Sequence, residues 1–305
     1  MSPVRGPVVP RRRLGAQLRT LREQAGLTIE EVSKGLECSV SKVSRLETGQ
    51  GIPYRRDVRD LLDRYGVTDQ AQRDRMMRWV RDGRRQGWWD EFSDVLAPDP
   101  EDPLLSDNLS RYVALEQDAS EIRCFEPTLV HGLLQTEDYA RAILNTLSTG
   151  GRWGGRSAAA HEATDRLVEL RMRRQDRLYA ADDPLTVRVL LDEAVLLRPI
   201  GGEQVMRGQL KRLLADAQRP NITVQVLPFG IGAHPSTAGS FAVLAFPDSD
   251  DNDLVYIEGH LGELYLEKEH DVRIYEQMFG VLVDMCMSSE QSAILVAKIL
   301  QDNNN

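Results

Sequence analysis

Thr28-Ile-Glu-Glu-Val32 and Ser39-Val-Ser-Lys-Val-Ser-Arg-Leu-Glu-Thr-Gly49 are the two halves of the stretch whose reading decides the fold. Each half carries the marks of a short capped helix. Thr28 is an N-cap residue with Glu31 three positions on, the pair that forms a capping box. Val32 and Leu36 follow at helical spacing, and this helix ends near Glu37. Ser39 caps the next helix, which turns Val43 and Leu46 inward and stops at Gly49, placed just after the C-cap. Two short helices joined by a short turn predict a helix-turn-helix, with the second, about 39–48, as the recognition helix. Its outward face presents Val40, Ser41, Lys42, Ser44 and Arg45, read as lying in the N-terminal half that reaches base edges in the major groove. Arg45 can donate a bidentate pair to guanine, Lys42 can do the same or hold a phosphate, and Val40 can pack on a thymine methyl. The plainer alternative is a solvated basic face, with Val40 against a neighbouring helix.

Working outward, the first helix is expected over about 12–25, with Leu14, Leu18 and Leu21 on one face and Gly26 ending it. A fourth helix follows Pro53, with Val58, Leu61 and Leu62 apolar and Gly66 as its stop; Thr68 is read as the cap of a fifth, reaching about Gln86. Residues 1–86 are therefore expected to form an all-α, five-helix domain. Phosphate contacts are expected near helix N-termini and adjacent cations: Thr28, Gln50, Gly51, Tyr54, Arg55 and Arg56. Plain solvation is the alternative for the two arginines. Arg11, Arg12 and Arg13 read as a basic N-terminal arm.

The charge distribution agrees. The chain of 305 residues is acidic overall, at −9. Residues 1–90, however, carry 19 Lys and Arg against 12 Asp and Glu, a surplus of +7, leaving −16 for the remainder. A basic domain joined to an acidic body is the pattern of a nucleic-acid reader with a second module. Ordinary composition, 41% hydrophobic and 28% charged, argues against wholesale disorder. No apolar run has the about 18–20 residues of a membrane span, and no apolar segment backs the N-terminal basic residues. Cys38, Cys124 and Cys286 stand far apart, which argues against a disulfide framework or a zinc cluster of C-x-x-C type. A cytoplasmic location is the expectation.

Trp88 to about Asn108 is rich in proline and acid, with Pro98, Pro100 and Pro103, so residues 87–109 read as a linker. Trp88 and Trp89 are read as a domain hinge, with base stacking as the alternative. Beyond it, helices are expected over Ser110–Glu121, Gln135–Leu147 and Ala158–Tyr179, with the glycine-rich loop Gly150–Gly155 between the last two. Strands are expected over Thr186–Asp192, Ile222–Pro228, Ser240–Phe246 and Leu254–Glu258, with a helix over Glu203–Asp216 and helical structure from about Gly262 to Leu300. Residues 110–300 thus read as a larger α+β domain, and 301–305 as a disordered tail.

Taken with the helical pattern, Leu18-Arg-x-Leu-Arg22, Ala25-Gly-Leu-Thr28, the Ser39–Gly49 segment and Pro53 resemble the Xre family of helix-turn-helix regulators. The resemblance implies five helices and an ion pair between Arg22 and Glu47. Many relatives have glutamine where Ile29 stands, and glycine where Glu37 stands; a left-handed backbone at a non-glycine residue costs on the order of 1 kcal/mol. The later segments Gly87-Trp-Trp89, Tyr112–Glu116, Gly132-Leu-Leu-Gln-Thr-Glu-Asp-Tyr-Ala140, Arg171-x-x-Arg-Gln175 and Val226-Leu-Pro-Phe229 are similar to the actinobacterial WhiJ-like, antitoxin-like group. His131 stands where proline usually precedes that glycine. This second resemblance implies a large domain that receives a signal, from a small partner protein of a neighbouring gene or a small molecule.

Catalytic motifs are missing from the sequence: there is no phosphate-binding G-x-x-x-x-G-K-[ST] loop, no G-x-S-x-G elbow and no H-E-x-x-H pair. No metal, cofactor or enzymatic role is expected. Glu267 and His270 are weak as a metal pair, and Asp248, Asp250, Asp251 and Asp253 lack the glycine and glutamate of a calcium loop and read as a hairpin turn. The loop of residues 230–239, with His234, Ser236 and Thr237, is the candidate partner or ligand loop, against an ordinary connection. The expected function is a homodimeric transcriptional regulator on double-stranded DNA, its two recognition helices about 34–36 Å apart on a pseudo-palindromic operator. The alternative is an antitoxin-like module that captures a small protein, with DNA binding as autoregulation.

Overall fold

A computed structural model describes residues 7–96, 103–147, 158–248, 252–259 and 262–302. The chain divides into two compact units, residues 1–118 with 248–251, and residues 119–247 with 252–305. The Gly150–Gly155 loop, Pro98, Pro100, Asp250, Asp251 and residues 303–305 lie outside the described residues.

The first unit is helical: α1 (Val9–Gln24), α2 (Ile29–Gly35), α3 (Val40–Glu47), α4 (Arg55–Arg64), α5 (Gln70–Asp82), a 3-10 turn (Trp88–Phe92), α6 (Ser93–Leu96) and α7 (Pro103–Asp118). Leu14 and Leu18 of α1 meet Val32, Val43, Leu46, Val58, Leu61, Leu62 and Met76 in one core, the apolar face that the helical spacing demands. Gly26, Gly49 and Gly66 end their helices at positive φ, where glycine has no Cβ to strain. Glu37 also sits at φ +50°, so this turn holds a side chain in the left-handed region.

Several local expectations change. Asp69, not Thr68, caps α5, because its carboxylate accepts from both Ala71 N–H (3.0 Å) and Gln72 N–H (3.3 Å). The arginine arm is displaced too: α1 begins at Val9, and Arg11 is only 1% exposed. Its Nε donates to the Pro7 carbonyl at 3.0 Å, and burial lowers the guanidinium to about 10, with Arg111 adding to the effect and Asp90 and Asp118 opposing it. The stretch read as linker is helical over Trp88–Leu96 and buries Trp89, Phe92 and Leu96.

The second unit is an α+β fold: β1 (Glu121–Glu126), α8 (Glu137–Leu147), α9 (Ala158–Arg174), β2 (Thr186–Asp192), α10 (Glu193–Leu197), α11 (Glu203–Asp216), β3 (Ile222–Leu227), β4 (Phe241–Ala245), β5 (Leu254–Gly259), β6 (Gly262–Leu266), α12 (Glu269–Met285) and α13 (Ser289–Asp302). The strands form one mixed sheet in the order β3-β2-β1-β4-β5-β6. β1, β2 and β3 are parallel neighbours joined by helical crossovers, and β4 to β6 continue the sheet antiparallel from β1.

Two of these strands contradict the sequence reading. β1 begins at Glu121, where a helix end was expected, and carries Arg123 in mid-sheet; Asp253 (3.2 Å) and Glu276 (3.0 Å) balance that charge. β6 occupies the start of the segment expected to be helical, pairing Gly262 with Gly259 in a hairpin. Shorter shifts follow: the Arg-rich helix gives way to a 3-10 turn at Gln175, α8 starts at Glu137 behind a 3-10 turn at Gly132–Leu134, and Gln301 and Asp302, read as tail, still belong to α13. Among the described residues no single helix is long and apolar enough to cross a membrane. The bent pair α12 and α13 would reach that length together, but Val272, Phe279 and Leu282 of α12 are buried with Phe125, Leu190 and Val243 of the sheet.

Candidate nucleic-acid interface

The seat of α3 comes first, because it fixes where every outward side chain points. Val43 and Leu46 are buried, each contributing about 1.5–3 kcal/mol relative to exposure. Arg22 of α1 grips Glu47 with two parallel bonds, Nε to Oε1 at 2.7 Å and Nη2 to Oε2 at 3.0 Å, and gives Nη1 to the Leu27 carbonyl at 2.9 Å. The hydrogen bond to Glu47 holds the guanidinium above its ordinary pKa. Gly15 is the close-packing point: a Cβ there would stand 2.5 Å from the Leu46 carbonyl oxygen and 2.6 Å from that of Glu47. The sequence reading missed Gly15, since a glycine inside a helix signals only weakened propensity.

The outer face of α3 is built by what the inner face excludes. Ser39 caps the helix by accepting from Lys42 N–H at 3.2 Å, and no acidic residue stands in the first turn. Val40, Ser41 and Arg45 are exposed, while Lys42 and Ser44 are half-buried. Arg45 lies in the last turn rather than the N-terminal half, and among the described residues it has no ion-pair partner. Lys42 pairs with Asp57 of α4 at 2.5 Å. This pair is partly exposed, so its net worth is small and a phosphate can compete for the ammonium.

The expected phosphate contacts divide into engaged and open groups. Thr28 completes a capping box: its hydroxyl accepts from Glu31 N–H at 3.2 Å, and its own N–H donates to Glu31 Oε2 at 2.8 Å. These bonds hold the Glu31 carboxyl below its usual range, and Glu30 and Glu31 put two negative charges at that helix end. Gly51 N–H is engaged by the Arg45 carbonyl at 2.8 Å. Gln50, Arg55 and Arg56 are exposed, Arg56 loosely paired with Asp60 at 3.8 Å and Arg55 without an ion-pair partner among the described residues. Tyr54, exposed at the start of α4, lies under the Arg84 guanidinium at 4.7 Å, and Arg84 also donates to the Pro53 carbonyl at 3.2 Å.

The remaining site residues fall elsewhere. Trp88 stacks edge-on to Trp89 and Phe92 and donates Nε1–H to Gln117 of α7 at 2.8 Å, so both indoles lie inside the first unit. In the second unit His234 packs edge-on to Phe125 at 5.2 Å, Ser236 is buried with its hydroxyl donating to the Gly239 carbonyl at 2.8 Å, and Thr237 is exposed. A separate open cleft of about 390 Å³ was not foreseen; Gln175, Tyr179, Arg212, Asp216 and Arg219 line it. Arg212 bridges Asp216 Oδ2 at 2.5 Å and Gln175 Oε1 at 3.0 Å, and Arg219 lies over the Tyr179 ring at 4.4 Å.

Buried amides tie two of the separated sequence motifs together. Gln175 donates to the Gln135 carbonyl at 2.8 Å, Arg171 donates to Gln135 Oε1 at 2.9 Å, and Gln135 Nε2 donates to the Val130 carbonyl at 2.6 Å. Gln209, fully buried, closes the set by donating to the Leu134 carbonyl and accepting from Thr136 N–H, both at 2.8 Å.

These features define the class. The sequence model of a helix-turn-helix domain matches residues 13–76, within the first five helices, and that match supports DNA binding by this unit. A domain of unknown function (DUF5753) matches residues 109–298, more than half of the chain, and the chain belongs to that family. No curated protein and no solved structure matches it.

Proposed function

We propose that this chain is a sequence-specific transcriptional regulator of the Xre type, in which α3 enters the major groove and the DUF5753 unit receives the controlling signal. The observation that carries the reading is the two-sided build of α3. Its inner side is fixed by Gly15, Val43, Leu46 and the Arg22–Glu47 pair, while its outer side offers Val40, Ser41 and Arg45 at a helix whose first turn carries no acid. Arg45 reads a guanine, Val40 a thymine methyl, and Ser41 and Ser44 contact neighbouring edges. Lys42 exchanges Asp57 for a phosphate, and Gln50, Tyr54, Arg55 and Arg56 hold the backbone. Two copies on a pseudo-palindrome supply the affinity that one short helix lacks. The reading places the chain in the WhiJ-like group and assigns it no reaction.

The test is a binding-site selection with the full chain. An enriched inverted repeat is expected, and the Arg45→Ala variant should lose preference at one or two positions. Enrichment of no motif, or an identical motif from the variant, would refute the reading.

A further inference from the structure

At the carboxyl end of β1, three side chains of metal-ligating type converge. Cys124 and Glu126 are two residues apart on β1 and so share a face of the sheet. His131, which caps the 3-10 turn at Gly132–Leu134, comes back onto the same place. One ligand atom from each lies within 4.8 Å of the other two. Cys124 is fully buried, His131 nearly so, and Glu126 half-buried, which leaves the group reachable from one side.

These groups are poorly used by the fold itself. Among the described residues the Cys124 and Glu126 side chains make no hydrogen bond or ion pair, and His131 has one long bond, Nδ1 accepting from Leu133 N–H at 3.4 Å. A fully buried thiol and a half-buried carboxyl, side by side and without polar partners, leave donor atoms that the fold does not use. The place is also the one that open parallel sheets use for ligands, outside the carboxyl ends of the strands.

We infer that Cys124, Glu126 and His131 form a binding site for a zinc-class divalent cation. Thiolate, imidazole and carboxylate are the donor set that zinc takes, and three protein ligands leave a fourth position open. Metal–ligand bonds of about 2.0–2.3 Å put neighbouring ligand atoms roughly 3.5 Å apart, so atoms now within 4.8 Å of one another must close by at most about 1.3 Å, within reach of side-chain rotation. The thiolate and carboxylate bring two negative charges, which match the dication. That match is needed, because Arg171 and Arg174 act on His131 electrostatically and would oppose a cation held by neutral groups. Magnesium and calcium, which prefer all-oxygen shells, do not suit a thiol and an imidazole.

The test uses Co²⁺ as a spectroscopic probe on the full, metal-free chain. One equivalent should give a thiolate-to-cobalt charge-transfer band that one equivalent of Zn²⁺ abolishes. The band should vanish in Cys124→Ser and persist in the Cys38→Ser/Cys286→Ser double variant. Should Cys124→Ser fail to fold, Glu126→Gln decides the matter, with an expected loss of Zn²⁺ affinity at or above the about 10–100-fold that an outer-shell partner costs. No band in the parent chain, a band that survives Cys124→Ser in folded protein, a band lost in the double variant, or unchanged affinity in Glu126→Gln overturns the assignment.

Discussion

Helix α3 and the glutamine cluster of the second unit use polar side chains in opposite ways. On α3 the polar and charged groups divide by side: Glu47 is buried and paired, while Ser41 and Arg45 face outward. Around Gly132–Leu134, Gln135, Gln175 and Gln209 are all buried and satisfied by backbone groups or by Arg171 and Arg212. A motif whose polar atoms are all satisfied inside the chain holds a structure; one that leaves donors facing solvent is equipped to bind something. By that measure the glutamine motifs explain the architecture of the second unit, and the outward face of α3 is equipped to bind.

The sharpest way to break this contrast is at Glu47. Glu47→Ala leaves the Arg22 guanidinium without its buried partner and should cost about 3–5 kcal/mol, read by chemical denaturation. A loss under about 1 kcal/mol would remove Glu47 from the structural side. Gly15→Ala should destabilise by about 1–3 kcal/mol through backbone overlap, with DNA affinity falling at all sequences together because α3 is displaced as a body. Gln175→Ala, which strips a donor from the Gln135 and Gly132 carbonyls, should cost about 1–3 kcal/mol and leave DNA affinity alone.

The outward residues should behave in the reverse manner. Arg45→Ala should leave the melting transition in place, and lose about 1–3 kcal/mol of discrimination at one or two base positions in a titration against operator variants. Arg55→Ala should show the smallest change: weaker binding to every sequence, with the slope of log affinity against log salt reduced by about one. A loss confined to one base position would instead make Arg55 a reader.

The first unit was legible because its signals are local. Caps at Thr28 and Ser39, stops at Gly26, Gly49 and Gly66, and one apolar face per helix each lie within a few residues of what they control. Gly15 was not legible, since its importance depends on a carbonyl on another helix. In the second unit Thr186–Asp192 showed its strand character through its apolar run, whereas β1 hid behind Arg123, whose balancing acids come from Asp253 and Glu276 far along the chain. Missing β1 also concealed the grouping at its end, because Cys124 and Glu126 share a face only in an extended strand. The cleft at Tyr179 was unreadable because its walls, the turn after α9 and the end of α11 with Arg219, lie far apart in the chain.

The contact at Gly15 has one more consequence. Because α3 rests on α1 backbone against backbone, its position is set by main-chain atoms and not by the side chains it shows to the groove. The outward residues of α3 can therefore be exchanged as a cassette while the helix keeps its aim, and under the proposed function each exchange changes the sequence recognised. Under that same proposal, drift in an operator is answered by substitutions at a handful of surface positions, with no repair needed in the core beneath.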